Sequence, residues 1–416
     1  MRSAPGLICL GVLMCTPALC QSNQAGGLSH NVEWRLRYEA RNDATFDSAR
    51  DADPSERLSR LRLGLTWKDP QGWTIFLQPQ YSYQNPHRPI GARPPEHDLD
   101  MHQGWIETGK GRWQWRIGRQ QFVYGESRLI GNGGWTNVGR SFDAVRLRVT
   151  DARTSTDLWI GKIGQQWPKT AEPVLATVYS TIRRSKALAY DLYFIHKSDT
   201  ASGRGVEIHT LGTRPTWSHG GWSAMFEGAF QFGHTGGKTH EAWAYAARSA
   251  YTFPGTSALR IGLEQAAASG GSPNDPRRSR TFDQLYPTGH MHHGLLDYQG
   301  WRNMESYRLS LSAKPARDIT VTVDGWLFRL RNARDFWYAA SGRPVVGALG
   351  AGLKDDTGAA GREVGREVDV LVNLQATKSA AIQAGYGRFF PGRFVRATNG
   401  AADPSDWFYV QTTFTF

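Results

Sequence analysis

A two-residue alternation of apolar and polar side chains runs along nearly the whole chain and constrains its fold more than any other feature. Leu61, Leu63, Leu65 and Trp67 fall on one face, and Arg60, Arg62, Gly64 and Thr66 on the other. Trp113, Trp115 and Ile117 alternate with Gln114 and Arg116, and Val145, Leu147 and Val149 with Arg146 and Arg148. Val368, Val370, Val372 and Leu374 alternate with Glu367, Asp369 and Asn373. Successive side chains of a β-strand point to opposite faces, so a period of two denotes strands, and the helical period is nearly absent. The chain therefore reads as all-β.

The connections fall into two kinds. Short stretches rich in Gly, Pro, Asp and Lys lie at 68–72, 108–111, 151–154, 183–186, 254–256, 314–317 and 377–379. These are the residues that tight hairpins require. Between them lie longer polar stretches at 42–55, 85–97, 121–140, 267–302, 332–362 and 391–404. Short turns at one end and long loops at the other match a bacterial outer-membrane barrel, with its periplasmic turns and extracellular loops, and about 18 strands give the even number such barrels use.

A soluble sandwich would show the same alternation within any one strand. What separates the two is that lipid forbids unpaired strand edges, so only a closed barrel crosses a membrane with strands. Together with the two-sided loop lengths, a signal, the lack of mature cysteines and a terminal Phe favour closure, and the polar composition excludes the helical alternative. The first twenty residues read as a secretory signal, with Arg2, an apolar run over 7–19 and the small-x-small sequence Ala18-Leu19-Cys20, placing the mature start near Gln21. All three cysteines (Cys9, Cys15 and Cys20) lie in that signal, so no disulfide holds the remainder. Mean hydropathy is −0.49, too polar for membrane helices beyond the signal. The C-terminal segment alternates too, with Phe408, Val410, Thr412, Phe414 and Phe416 on one face, like the terminal signal of proteins inserted by the outer-membrane assembly machinery. The expectation is one domain over 21–416: a closed antiparallel transmembrane β-barrel, monomeric and surrounded by outer-membrane lipid.

If the apolar faces meet lipid, the charged faces line the lumen. Of 49 basic residues 39 are Arg, and net charge is +12. Arg binds carboxylate, phosphate or sulfate through two parallel hydrogen bonds. The alternation places Glu33, Arg35, Arg37 and Glu39 inward from the first strand and Arg60 and Arg62 from the second. Later strands add Arg116, Arg146, Arg148, Arg248, Arg260, Glu264, Arg308, Asp324, Glu367 and Asp369. Arg119 and Arg388 stand near strand ends and are counted with the pore, although Arg388 shares the parity of Ile382 and Tyr386. Spaced guanidinium groups would form a ladder of weak anion sites, and weak, repeated binding permits conduction. The same arginines, paired with Glu and Asp, could instead brace the wall.

Sequences with enzymatic meaning are absent: there is no G-x-S-x-G, H-E-x-x-H, Walker loop or C-x-x-C. No cofactor or metal is expected, and a secreted barrel gives its basic residues little access to nucleic acid. His290, His292 and His293 in the longest loop, and His97 and His102 around Asp98 and Asp100, read as solvated loop groups.

Three stretches resemble the alginate export family of outer-membrane proteins. They are RIGRQQFVYGESRLIG at 116–131 followed by WTNVGRSFDAVRLR at 135–148; FDQLYPTGHMHHGLLDYQGWRN at 282–303; and GREVGREVDVLVNL at 361–374 with GYGRFFPG at 385–392. The resemblance implies a monomeric barrel of 18 strands with an electropositive constriction for a polyuronate, gated by its loops. It places Arg119 and Arg146 on or near the pore path, and Glu367 and Asp369 on the opposing wall. The uniformly short periplasmic turns depart from the alginate exporter itself, since no long plug is visible at that mouth. The resulting expectation is an anion-selective channel for an alginate-like polyuronate or a related acidic solute. The alternatives are an uptake porin for small anionic or aromatic solutes and a structural barrel with a blocked lumen.

Overall fold

The computed structural model describes residues 26–50, 53–87, 96–164, 173–199 and 205–416. The expected signal over 1–20 lies outside them. Of 19 extended segments, 18 are barrel strands, and the remaining one is the two-residue Arg278–Ser279, a parallel bridge to one wall strand. In chain order the strands are β1 (Leu28–Asn42), β2 (Ser55–Lys68), β3 (Thr74–His87), β4 (Glu96–Lys110), β5 (Trp113–Gln120) and β6 (Ser141–Thr150). They continue with β7 (Thr154–Gly164), β8 (Val174–Arg183), β9 (Leu188–Asp199), β10 (Val206–His219), β11 (Trp222–Thr235) and β12 (Lys238–Thr252). The last six are β13 (Arg260–Ala268), β14 (Met304–Ala316), β15 (Ile319–Arg329), β16 (Glu363–Thr377), β17 (Ala380–Pro391) and β18 (Ser405–Thr415).

Each strand pairs antiparallel with its neighbours in sequence, and β18 returns to pair with β1 from Glu33↔Thr415 to Asn42↔Asp406. Closure extends to the last residue: the Val32 amide donates to the Phe416 carbonyl at 2.9 Å, and the Phe416 amide to the Val32 carbonyl at 3.0 Å. Among the described residues every wall strand is paired on both sides, as lipid demands.

The outer face carries the alternating apolar side chains, among them Trp34, Leu36, Leu61, Leu63, Leu77, Ile117, Leu158, Leu211, Leu263, Leu309 and Val368, all exposed. Trp67, Trp73, Trp113, Trp217, Trp222 and Phe253 ring the short-turn end, where an amphipathic ring suits the lipid–water boundary. The expected short turns are all present, with a further one at 220–221. On the long-loop end the β11–β12 connection, 236–237, is itself a tight hairpin that the sequence reading left unassigned.

The long loops at 121–140, 269–303, 330–362 and 392–404, with Phe46 of the β1–β2 loop, do not simply stand out in solvent. They fold into the barrel and build two apolar clusters in its upper half. One packs Phe122, Leu129, Ile130, Phe282 and Trp301 of the loops against Phe142, Trp159, Tyr179 and Tyr193 of the wall. The other joins Phe46, Leu296, Trp337, Leu353 and Phe394 to Trp326, Phe328, Phe389, Trp407 and Tyr409. This corrects the expectation that charge lines the lumen throughout: charge fills its middle and lower levels, and hydrocarbon fills much of its top. The room comes from small residues, since Ala242, Ala244, Ala246, Ala266 and Ala268 of β12 and β13 are buried within the first cluster.

Candidate functional site

A loop inside a barrel carries main-chain groups that have lost water, and each costs free energy unless it finds a partner. The wall supplies those partners. On β1, Arg35 donates to the carbonyls of Gly134 at 2.8 Å and Thr136 at 2.9 Å, and Arg37 to that of Trp135 at 2.7 Å. On β2, Arg60 reaches the same Thr136 carbonyl at 3.3 Å, and Arg62 reaches the Val138 carbonyl at 3.0 Å. Four arginines of two adjacent strands thus grip the 121–140 loop by its main chain. The Arg37 guanidinium also lies flat over the Trp135 ring, 3.9 Å from its centre. Gly139 sits at φ +81°, and a Cβ there would fall 2.8 Å from Arg62 Nη2, so both the turn and the grip favour glycine.

The 269–303 loop is held by groups of the opposite sign. Glu367 on β16 accepts from the Leu296 amide at 3.1 Å, and Asp369 accepts from the Leu295 amide at 3.3 Å and from Trp326 Nε1 at 3.0 Å. Gly294, at φ +86°, leaves no space for a Cβ beside the Glu367 carboxylate. Arg41 completes the hold by donating to the Leu296 carbonyl at 2.9 Å. The two loops meet where His290 stacks on Trp135, their ring centres 3.8 Å apart.

At the middle of the barrel Arg128, from the 121–140 loop, pairs with Glu264 of β13 at 2.7 Å with both side chains buried. Glu126, two residues earlier, pairs with Arg248 of β12. At this level and below it, groups of opposite sign pair along the wall, Arg308 being the register partner of Glu264. Glu107 bridges Arg116 at 2.7 Å and Arg146 at 2.8 Å, Arg148 holds Asp157 at 2.6 Å, and Arg308 holds Asp324 at 2.6 Å. Arg116, Arg146, Arg148, Arg308, Asp324, Glu367 and Asp369 therefore face the lumen on the strands where the alternation placed them. Asp369 and Glu367 lie ten strands from Arg146 in one direction and eight in the other, opposite it across an 18-strand ring.

Arg119 and Arg388 require correction. Arg119 shares its face with Trp115 and Ile117, and its register partner Asp143 holds it at 2.8 Å. Arg388 shares its face with Tyr386 and Phe390 and pairs with Asp406 at 3.5 Å. Both side chains stand on the outward face near the long-loop rim, above the apolar band, where strand parity and not charge sets their direction. The histidine expectation also changes. His292 and His293 are buried beside Arg128 and Glu264, because the loop bearing them folds inward. His102 is buried as well, its Nε2 2.7 Å from Gln121 Nε2.

Several lumenal guanidinium groups form no ion pair among the described residues, Arg41 with its Leu296 carbonyl being one and Arg35, Arg62 and Arg260 of the wall three others. Arg35 binds carbonyls, Arg62 binds Gln80 and a carbonyl, and Arg260 binds the Thr252 and Ser223 hydroxyls at 3.0 Å and 2.8 Å. Their hydrogen bonds go to neutral groups, with Arg35 Nε left without a partner among the described residues, and the nearby Glu33 carboxylate, itself paired with Arg60, is shared among Arg35, Arg60 and Arg62.

Three cavities flank the loops. One of about 810 Å³ lies at the long-loop end between β9–β12 and the loops, lined by Lys197, His240, Asp283, Arg302, Gly342 and Arg343 among others. At the short-turn end, one of about 420 Å³ contains Arg183, Lys186, Arg248 and Arg260, and one of about 360 Å³ contains Arg317, Gln375, Gln383 and Gln411. The cavity of about 810 Å³ forms a vestibule in which Lys197 lies over the Tyr286 ring and Arg302 over the Tyr338 ring, 5.4 Å and 4.4 Å from their centres; it is not legible in the sequence, because it arises only where separate loops meet. Its one trace in the sequence is that β8, β9 and β12 carry apolar or small residues on both faces.

The sequence model of the alginate export family matches residues 27–408. The chain belongs to the alginate export family. Its fold is also similar to solved outer-membrane proteins. The crystal structure of Pseudomonas aeruginosa OprD superposes with a TM-score of 0.59 at 9% identity over 94% of this chain and 95% of that one. Pseudomonas aeruginosa OccK8 (OprE) gives 0.61 at 9% identity over 94% and 98%, and Acinetobacter baumannii OccAB4 gives 0.61 at 12% over 95% and 100%. No curated protein matches the chain in sequence. The alginate export family member is thus an outer-membrane β-barrel of a Gram-negative envelope, and family and fold point to a transport channel and away from an enzyme. Of the three stretches that carried the family resemblance, 116–148 and 282–303 are mostly loop that enters the lumen, and 361–374 with 385–392 is mostly wall strand.

Proposed function

We propose that this protein is a monomeric, anion-selective channel that passes acidic saccharides across the outer membrane, with the 121–140 and 269–303 loops as its constriction. The observation that carries the reading is the excess of guanidinium over carboxylate charge inside the wall, where Arg35, Arg60 and Arg62 share the single Glu33 carboxylate and Arg260 bonds to hydroxyls alone. In a narrow space with low-dielectric walls such charges raise the local anion concentration and repel cations. Arg146, Arg148 and Arg308 share their charge with carboxylates, which keeps them ordered and limits how tightly a passing anion is held. The basic groups of the vestibule and of the short-turn cavity extend the attraction to both mouths. A vestibule of about 810 Å³ falls within the ~300–1,000 Å³ span of small-ligand sites, so it accepts short oligosaccharides or a polymer threaded a few sugars at a time.

Planar-bilayer recording tests the reading. Under a KCl gradient the reversal potential should report chloride preference, and an oligouronate should block the current while a neutral oligosaccharide of equal length does not. Potassium preference, or equal block by both sugars, would overturn it. The uptake of small anionic solutes differs only in direction and size, and the same recording with monomeric uronate separates the two.

A further inference from the structure

We propose a second, separate site: a transition-metal site on the outer face of the barrel, at the long-loop ends of β9 and β10. Along β9, Leu192 and Phe194 face lipid, and His196 is the next residue on that face. The register sets His196 directly opposite His209 of β10. The two Nδ1 atoms are 3.2 Å apart. Glu207 follows on the same face of β10, its Oε1 3.7 Å from His209 Nε2. One ligand atom from each of His196, Glu207 and His209 lies within 4.8 Å of the others.

The geometry suits a metal. Zinc–nitrogen bonds of about 2.0–2.1 Å in a tetrahedron place neighbouring ligand nitrogens about 3.3 Å apart, the separation these Nδ1 atoms already have. In the metal-free protein one imidazole N–H bonds to the other ring's lone pair. Binding needs only that both rings carry their proton on Nε2, so no proton need be lost, and the Glu207 carboxylate offsets part of the ion's charge. Glu207 is 56% exposed and free to turn its carboxylate toward the pair as the third donor, leaving one position for water. Two imidazoles and a carboxylate favour zinc, copper or nickel over magnesium or calcium.

The rings are also held in place. Phe194 and Phe232 stack on His209 with ring centres 5.9 Å and 5.0 Å away. His234 of β11 is the register partner of Glu207, and with Glu241 it lines a surface hollow of about 490 Å³ beside them. Imidazoles and carboxylates from four adjacent strands thus face outward together just above the apolar band. The opposite faces of the same strands carry Lys197, Ile208 and His240 of the vestibule wall. A bound ion would clip β9 to β10 and fix that wall from outside.

The test uses untagged, chelator-treated protein in detergent micelles, titrated with zinc chloride by calorimetry and with cobalt chloride by visible absorption. One zinc per chain is expected, with a tetrahedral cobalt spectrum. His196→Ala and His209→Ala should each weaken zinc binding at least about ten-fold, the scale on which metal-site substitutions act. His219→Ala, an exposed histidine at the far end of β10, should leave binding unchanged. Absence of stoichiometric zinc, or binding that survives both His196→Ala and His209→Ala, would overturn the proposal. Folding of each variant is checked by the heat-dependent shift of barrels on gels. Ion selectivity is unaffected by either outcome, so the site and the channel reading stand or fall separately.

Discussion

Arg128 and Glu264 form an ion pair at 2.7 Å in which neither side chain reaches solvent, and it joins the 121–140 loop to the barrel wall. Burial favours the neutral form of both groups, but the Glu264 carboxylate, followed by Glu126, holds the Arg128 guanidinium charged, its pKa above the ordinary arginine value. Removing one partner of such a pair costs about 3–5 kcal/mol, because the other charge stays buried and unmatched. Arg128→Ala should therefore release the loop while leaving the 18 strand pairings intact. Single-channel conductance should rise and become noisier, and proteolysis within 121–140 should accelerate. Unchanged conductance and protection would show that the pair does not hold the constriction.

The other loop predicts a pH response. Burial, and after it the Arg128 guanidinium, pushes the His292 and His293 imidazoles far below the usual value of 6.5, His293 to about 3. Arg308 and Arg248 add repulsion, and Glu264 offsets part of it at His293. With the folded pKa depressed, the loop keeps its full stability above pH 6.5 and loses it as pH falls from there toward 3, by up to about 1.4 kcal/mol per pH unit for each histidine. Conductance should increase between pH 7 and pH 5. His292→Gln with His293→Gln should flatten that response, and an unaltered pH profile in the double variant would refute the assignment.

Arg260 and Arg388 make a contrast within one residue type. Arg260 faces the lumen with hydroxyl partners alone, whereas Arg388 is on the outer face with Asp406. Arg260→Gln should lower the chloride-to-potassium permeability ratio about six-fold, because one charge roughly 8 Å away in high dielectric favours chloride and disfavours potassium by about 0.5 kcal/mol each. Arg388→Gln should leave the ratio unchanged. Equal effects would mean that the outward assignment of Arg388 is mistaken.

Closure rests partly on Phe416, whose main chain exchanges two hydrogen bonds with Val32. Removing Phe416 should lower the amount of heat-modifiable barrel in the outer membrane several-fold, because each net hydrogen bond is worth about 1 kcal/mol and the seam would open at its end. Phe416→Ala keeps both bonds and separates the main-chain contribution from that of the ring. Loss equal to the deletion would assign the effect to the side chain.

Sequence alone determined the barrel, because a strand's period of two is local and each face can be read without its neighbours. The short turns, the long connections and the inward parity of Arg60, Arg146, Glu367 and Asp369 followed from the same rule. Tertiary structure alone decided what those inward groups do. Gly134, Thr136 and Val138 lie some seventy to one hundred residues from the arginines that bind their carbonyls, and Leu296 lies 71 from Glu367. No local pattern encodes such partners. Loops that look polar and solvated in sequence fold inward because aromatic residues such as Phe282, Trp301 and Trp337 bury there, and the charged wall then satisfies the main chain they carry in. Arginines that first suggested an anion path therefore hold the inward-folded loops, and Arg35 and Arg62 do so through neutral partners and without an ion pair of their own among the described residues.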